Sequence, residues 1–310
     1  MISKHSANFP SRIDAFTLRE PFAHPEGMCR YALAVYADAE GKEAVLKQWS
    51  EGGRAEDRAR LGSEAHALKI FSALRSRDGA AWQERFPDIR LPQYIAYHAG
   101  RQAVWFLMER MPGNHIGTYP AALQTASIGR IAAFLDWAFV RLTAAERRSF
   151  TRRSPAYFLA MMFPAAWKAA RRFPRFRSVI WRGVRAVISA APALLSGRER
   201  TIVHRDLNRT NVLVAGQILS ILDLQLIVEA HPYWELAAAA AIGASVPGFA
   251  EAFNAIPQMR DIAQDGHKRR RYFGYAAGAC LIELAFGPGD RAMRGGEALV
   301  RLFAAPSSQP

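Results

Sequence analysis

Three oxygen-bearing side chains fall within residues 201–223 (TIVHRDLNRTNVLVAGQILSILD): Asp206 after His204 and Arg205, Asn211 five residues on, and Asp223 beyond. Residues 212–214 and 218–222 have strand character, with Ala215-Gly216-Gln217 between them as a turn. A hairpin centred on Gln217 predicts that Asn211 and Asp223 meet at its open end, beside Asp206. A carboxamide and a carboxylate converging there make a hard-oxygen site suited to Mg²⁺ with phosphate. Asp206, a few residues earlier, is placed to accept a hydroxyl proton.

The elements that must hold these residues follow from pattern. Residues 31–36 (YALAVY) and 43–49 (EAVLKQW) read as strands around the turn residues 38–41, and Gly52-Gly53 breaks the pattern. Ser63 could cap a helix through Leu74, with Ala65, Leu68 and Phe71 at helical spacing. Two further strands are expected at 94–97 and 103–108, after Pro87 and Pro92. Pro112-Gly113 ends the sheet pattern, and the chain to Pro192 reads as mostly helical. The expected fold class is α+β, with an antiparallel-sheet lobe carrying one helix over 1–111 and a mostly helical lobe over 112–310. Gly287-Pro288-Gly289 and the terminal 306–310 read as loop and tail.

Composition narrows the classes. The chain has 310 residues, 50% of them hydrophobic and 22% charged, which excludes a disordered or staple-dependent protein. Its formal charge is +14, and residues 141–200 hold 14 Lys and Arg against only Glu146 and Glu199. The same stretch carries Phe163, Trp167, Phe173, Phe176 and Trp181 among its rings. Phe176, Ile180, Val184, Val187 and Ile188 share one helical face, with Arg175, Arg182 and Arg185 opposite. Two readings stay open: a helix docked on the core with a solvated basic face, or contact with an anionic membrane. No nucleic-acid motif accompanies the charge, so none is expected as partner. Cys29 and Cys280 offer no disulfide framework. The N-terminus shows no signal-peptide pattern, and the apolar run at 236–249 is too short to span a bilayer. A cytoplasmic setting is expected, with peripheral contact on the inner membrane face.

HRDLNRTN followed by LDLQ resembles the catalytic and metal-binding loops of the protein-kinase-like superfamily, nearest to the aminoglycoside phosphotransferase and lipopolysaccharide core (Kdo) kinase group. The resemblance implies a two-lobed fold and ATP- and Mg²⁺-dependent phosphotransfer. Asp206 would be the catalytic base, with Asn211 and Asp223 as metal ligands. Lys47 in AVLKQW would hold nucleotide phosphates, braced by Glu64, and WFLMERMPG resembles the hinge whose backbone at Glu109 and Met111 receives adenine. Glu235 would support the catalytic loop rather than touch substrate.

Departures from the superfamily pattern bear on the acceptor. Asp223 is followed after eight residues by HPYWELA, which resembles the start of the next helix in small-molecule phosphotransferases and leaves no peptide-docking segment. Asn208 stands where serine/threonine kinases carry lysine. Only Gly27 stands before Lys47 where a glycine-rich loop would lie, and Leu224-Gln225 is looser than a standard metal loop. The cationic, ring-rich 141–200 segment favours an anionic acceptor, such as a sugar of a lipopolysaccharide core or another glycolipid; aminosugars would need carboxylates. The alternatives are a non-catalytic kinase-like module at the membrane and a protein kinase.

Overall fold

A computed structural model describes residues 9–22, 31–50, 53–207, 209–287 and 289–304. Expectations placed on Gly27, Cys29, Gly52, Asn208, Pro288 and 306–310 lie outside the described residues. The chain divides into two compact units, Met1–Gly113 with Leu213–Leu226, and Asn114–Val212 with Ile227–Pro310.

In the first unit, β1 (Arg12–Ile13), β2 (Phe16–Phe22), β3 (Ala32–Ala37) and β4 (Glu43–Ser50) precede a long helix, α1 (Ala55–Arg85). They are followed by β5 (Ile89–Arg90), β6 (Tyr94–Ala99) and β7 (Ala103–Glu109). The antiparallel sheet runs β1-β2-β3-β4-β7-β6. Period two on β4 puts Ala44 and Leu46 into a core with Tyr36 and Leu107 and turns Lys47 to the opposite face. The strands at 31–49 and 94–108 match the pattern read from the sequence; β1 and β2 were not foreseen. FTLREPF hides its strand because Glu20-Pro21 reads as a breaker. Here β1 covers only Phe16 and Thr17, so the rest of β2 is a sheet edge with a bulge between Leu18 and Glu20, where proline is tolerated. The helix expected over 63–74 begins earlier and ends later. Glu56 and Asp57 sit in its first turn, favourably placed at the dipole's positive end, and the chain passes through one non-helical residue, Asp78.

The second unit opens with β8 (Asn114–His115), α2 (Ala121–Arg141) and α3 (Ala144–Ser149). A capping box between Thr143 and Glu146 starts α3. Then come α4 (Pro155–Arg172), capped by Ser154, α5 (Arg177–Ser189), α6 (Ala191–Ser196) and β9 (Thr201–Val203). Next in the chain, and belonging to the first unit from Leu213 on, β10 (Val212–Ala215) and β11 (Ile218–Ile221) form a hairpin whose two-residue turn takes Gly216 to φ +61°, a conformation that favours glycine. Within the first unit, β11 also runs parallel to β5. β12 (Val228–Ala230) pairs antiparallel with β9. The chain ends in α7 (Pro232–Gly243), α8 (Phe249–Asn254), α9 (Pro257–Gln264), α10 (Gly266–Phe286) and α11 (Gly289–Ala304).

α10 is the axis of the helical core, packed against α4, α5, α7 and α11. Phe158 of α4 is fully buried, with Trp234 at 4.9 Å edge-on and Tyr275 at 4.7 Å. Gly278 leaves room for that ring: a Cβ there would lie 2.3 Å from Phe158 Cζ. Phe176, Ile180, Val184 and Val187 are buried in the same core, while Arg182 and Arg185 are exposed. The docked reading therefore describes α5, except that Ile188, assigned to the apolar face, is exposed. The exposed rings lie elsewhere: Phe163 and Trp167 on α4 are 55% and 62% exposed. Among the described residues no helix is long and apolar enough to cross a membrane.

Candidate functional site

Lys47 stands on β4 between Leu33 of β3 and Phe106 of β7, on the face covered by α1. Its ammonium lies 2.8 and 3.0 Å from the two Glu64 oxygens and 3.3 Å from Asp223 Oδ1. Glu64 is fully buried, and burial pushes its carboxyl up to about 7 against the opposing pull of Lys47. Asp223 comes two residues after β11 with φ +59°, a left-handed conformation that aspartate tolerates better than most residues. Gln225 Nε2 donates to Asp223 Oδ2 at 2.9 Å. The Tyr31 hydroxyl proton is shared between Gln225 Oε1 and the Asp57 carbonyl, each at 3.0 Å. Read from sequence, Leu224-Gln225 was only a departure; here Gln225 orients the carboxylate, and Tyr31 orients Gln225. Their period-two spacing from Asp223 and from Leu33 was the signal available.

At the end of β7, the Glu109 amide donates to the Gln93 carbonyl at 3.0 Å. The Gln93 amide donates back to the Glu109 carboxylate at 3.1 Å. Met111 is buried, and its amide has no intramolecular partner among the described residues.

In the second unit, Asn211 Nδ2 donates to the Asp206 carbonyl at 2.9 Å and to Asp206 Oδ2 at 3.2 Å. That fixes the amide end of Asn211, whose Oδ1 accepts from the Thr210 hydroxyl at 3.5 Å. The neighbouring His204 is fully buried, and its Nδ1 accepts from the Asp206 amide at 3.3 Å. Glu235, on the first turn of α7, accepts from the His204 amide and, at 3.2 Å, from the Arg205 amide. Arg205 has φ +63°, unfavourable for a long side chain. The buried carboxylate below it and the Trp234 ring, 5.4 Å from its guanidinium, hold the loop in that shape. Burial also raises the Glu235 carboxyl above the ordinary range, opposed by His204 and by the two backbone amides.

One residue on Asp206 was not foreseen. Arg291 of α11 places its guanidinium Nη2 2.7 Å from Asp206 Oδ1; the same Nη2 donates to Glu283 Oε1 of α10 at 3.0 Å, and Nε donates to Glu283 Oε2 at 2.7 Å. Arg291 follows the Gly-Pro-Gly stretch read as a loop, 85 residues from Asp206, so local spacing carried no sign of it.

Phosphate-bearing magnesium takes few protein ligands, all oxygen, and fills its remaining positions with phosphate and water. Asn211 Oδ1 and the Asp223 carboxylate are oxygen donors of that kind. No group of three or more His, Cys, Asp or Glu suited to a metal occurs among the described residues. The donor chemistry of these two residues fits magnesium.

No curated protein sequence matches the chain. A thermostable mutant of aminoglycoside phosphotransferase APH(4)-Ia, solved with ADP and hygromycin B, superposes with TM-score 0.63 at 12% identity, covering 94% of this chain and 95% of that one. Choline kinase LicA from Streptococcus pneumoniae gives 0.54 at 14% identity, over 93% and 94%. Macrolide 2'-phosphotransferase MphH from Brachybacterium faecium gives 0.50 at 15%, over 92% and 93%. At such identities these likenesses establish the kinase-like fold. The profile described as phosphotransferase enzyme family (APH) matches residues 31–273, most of the chain, and this protein belongs to that family and is a phosphotransferase.

Proposed function

We propose that the chain transfers the γ-phosphoryl group of ATP, with Mg²⁺, to a hydroxyl of an anionic sugar acceptor of the glycolipid or lipopolysaccharide-core type. Asp206 orients the hydroxyl and takes its proton as the oxygen attacks phosphorus and ADP leaves. Lys47, braced by Glu64, holds nucleotide phosphates, and the Glu109 and Met111 backbone receives adenine. Asn211 and Asp223 are the magnesium ligands; the ion supplies neutralisation of phosphate charge. Glu235 and Gln225 act through the residues they hold.

The observation that carries the acceptor class is Arg291 at 2.7 Å from Asp206. Its guanidinium, held between Asp206 and Glu283, supplies a planar donor beside the reacting hydroxyl that suits an acceptor with a carboxylate or phosphate there. The exposed α4 rings Phe163 and Trp167, with Lys168 and Arg171 beside them, favour an acceptor presented at an anionic membrane.

The test is incubation with γ-labelled ATP and Mg²⁺ against lipopolysaccharide-core glycolipid, hygromycin B and choline in parallel. Label is expected in the glycolipid, falling about 10²–10⁴-fold in Asp206→Asn. Label in choline or hygromycin B alone overturns the acceptor class, and undiminished labelling by Asp206→Asn overturns the role of Asp206.

A further inference from the structure

The five C-terminal helices α7–α11 line an open cavity of about 890 Å³ that contains none of the residues assigned to phosphotransfer. Its walls are apolar: Phe249 and Phe253, stacked at 5.5 Å, with Met259, Ile262, Phe273 and Leu302. Its alanine floor comes from α7, whose small side chains leave the space open. Of its polar lining residues, Arg269, Arg270 and Arg301 are exposed, as are Asn254 and His267. Only Arg301 has an acid near it, Glu297 at 4.0 Å one helical turn away. No carboxylate lines the cavity among the described residues.

Two internal groups complete the picture. Tyr272 packs edge-on to Tyr233 at 6.3 Å, and its hydroxyl has no hydrogen-bond partner among the described residues. Cys280 is buried in the wall, and burial pushes its thiol up to about 12, so it stays an uncharged, apolar lining atom. The volume lies in the range of small-molecule sites, which are mostly apolar with a few placed polar groups. Apolar walls and a mouth that carries three arginines match a molecule of the opposite polarity: an alkyl tail with an anionic head.

We propose that this cavity binds a single-chain anionic amphiphile, with its tail among the α8–α10 aromatics and its head on Arg269 and Arg270. The proposal stands apart from the phosphotransfer reading.

Calorimetric titration of the full chain, without nucleotide, tests it. The probes are tetradecyl phosphate, tetradecyl maltoside and tetradecyltrimethylammonium, each below its micellar concentration. One equivalent of tetradecyl phosphate is expected to bind, at least tenfold tighter than the maltoside. Shortening the chain should weaken binding about fourfold per methylene. Ala263→Trp at the mouth should abolish binding, and Arg269→Glu with Arg270→Glu should invert the preference toward the ammonium probe. Circular dichroism and Tm confirm that each variant is folded. Equal affinity for all three heads, or binding indifferent to both variants, overturns the proposal. So does an absence of binding accompanied by a dimer that Ala263→Trp disperses, which would assign the groove to a second copy of the chain. Asp206→Asn should bind tetradecyl phosphate as the parent does, so failure here and failure of the phosphotransfer assignment are read separately.

Discussion

The Lys47 ammonium is shared by two carboxylates of different character: Glu64 buried within α1 and Asp223 partly open to solvent. Because burial lifts the Glu64 carboxyl to about 7, the bracing pair depends on pH. Above that value Glu64 is ionised and grips Lys47; below it the grip is lost. The kcat/KM for MgATP is therefore expected to fall as pH drops below about 7, and Glu64→Gln should lower the plateau while removing that limb from the pH–rate profile. Stability runs the other way. Between the ordinary glutamate value and about 7 the folded chain holds a proton that the unfolded chain has released, so unfolding free energy falls as pH rises through that window. On Asp206, Arg291→Gln removes a charge-assisted hydrogen bond worth ~1.5–3 kcal/mol. A loss of about tenfold or more in kcat/KM for the glycolipid acceptor is expected, with KM for ATP unchanged; a change confined to ATP would place Arg291 on the wrong substrate. Asp206, Asn211, Lys47 and Glu64 were legible because each sits at a fixed offset inside one element or loop. Arg291 reaches the Asp206 carboxylate, and Glu283 holds Arg291, from helices whose approach is decided only by packing.

At the level of elements, α10 is a long helix surrounded by others, and its partner α4 is locked to it through Phe158. Phe158→Ala is expected to cost about 3–5 kcal/mol in denaturant unfolding, since the ring fills space that Gly278 vacates and its neighbours cannot close. A loss below about 1 kcal/mol would mean the site collapses freely. The strand–turn–strand over 31–49 was readable because turn residues bracket clean alternation. α1 was underestimated because Gly52-Gly53 and Ser63 suggested a later start than the acidic first turn at Glu56-Asp57. α11 was covered only by the general expectation of a mostly helical lobe, after a Gly-Pro-Gly stretch read as loop; inside it Gly296 sits where a Cβ would strike the Phe176 ring at 2.6 Å. Glycine there serves close packing, which a one-dimensional pattern does not distinguish from a break.

Across the whole molecule, family membership covers residues 31–273, while solved relatives of this fold retain as little as 12% identity. What survives at that distance is the fold. Of the +14, all but a small remainder belongs to 141–200, and no acid interrupts it between 147 and 198. Flotation with anionic vesicles is expected to recover the protein, and Phe163→Ser with Trp167→Ser to reduce recovery several-fold, while neutral vesicles recover neither; equal recovery on both lipids would remove the membrane contact. Concentrating cations on one stretch also acts before any contact is made. Such an object arrives at a negatively charged sheet already turned, and its rate of arrival falls steeply as added electrolyte shortens the reach of the field to ~8 Å at physiological strength. Departure, governed by the seated rings, should hardly notice the salt.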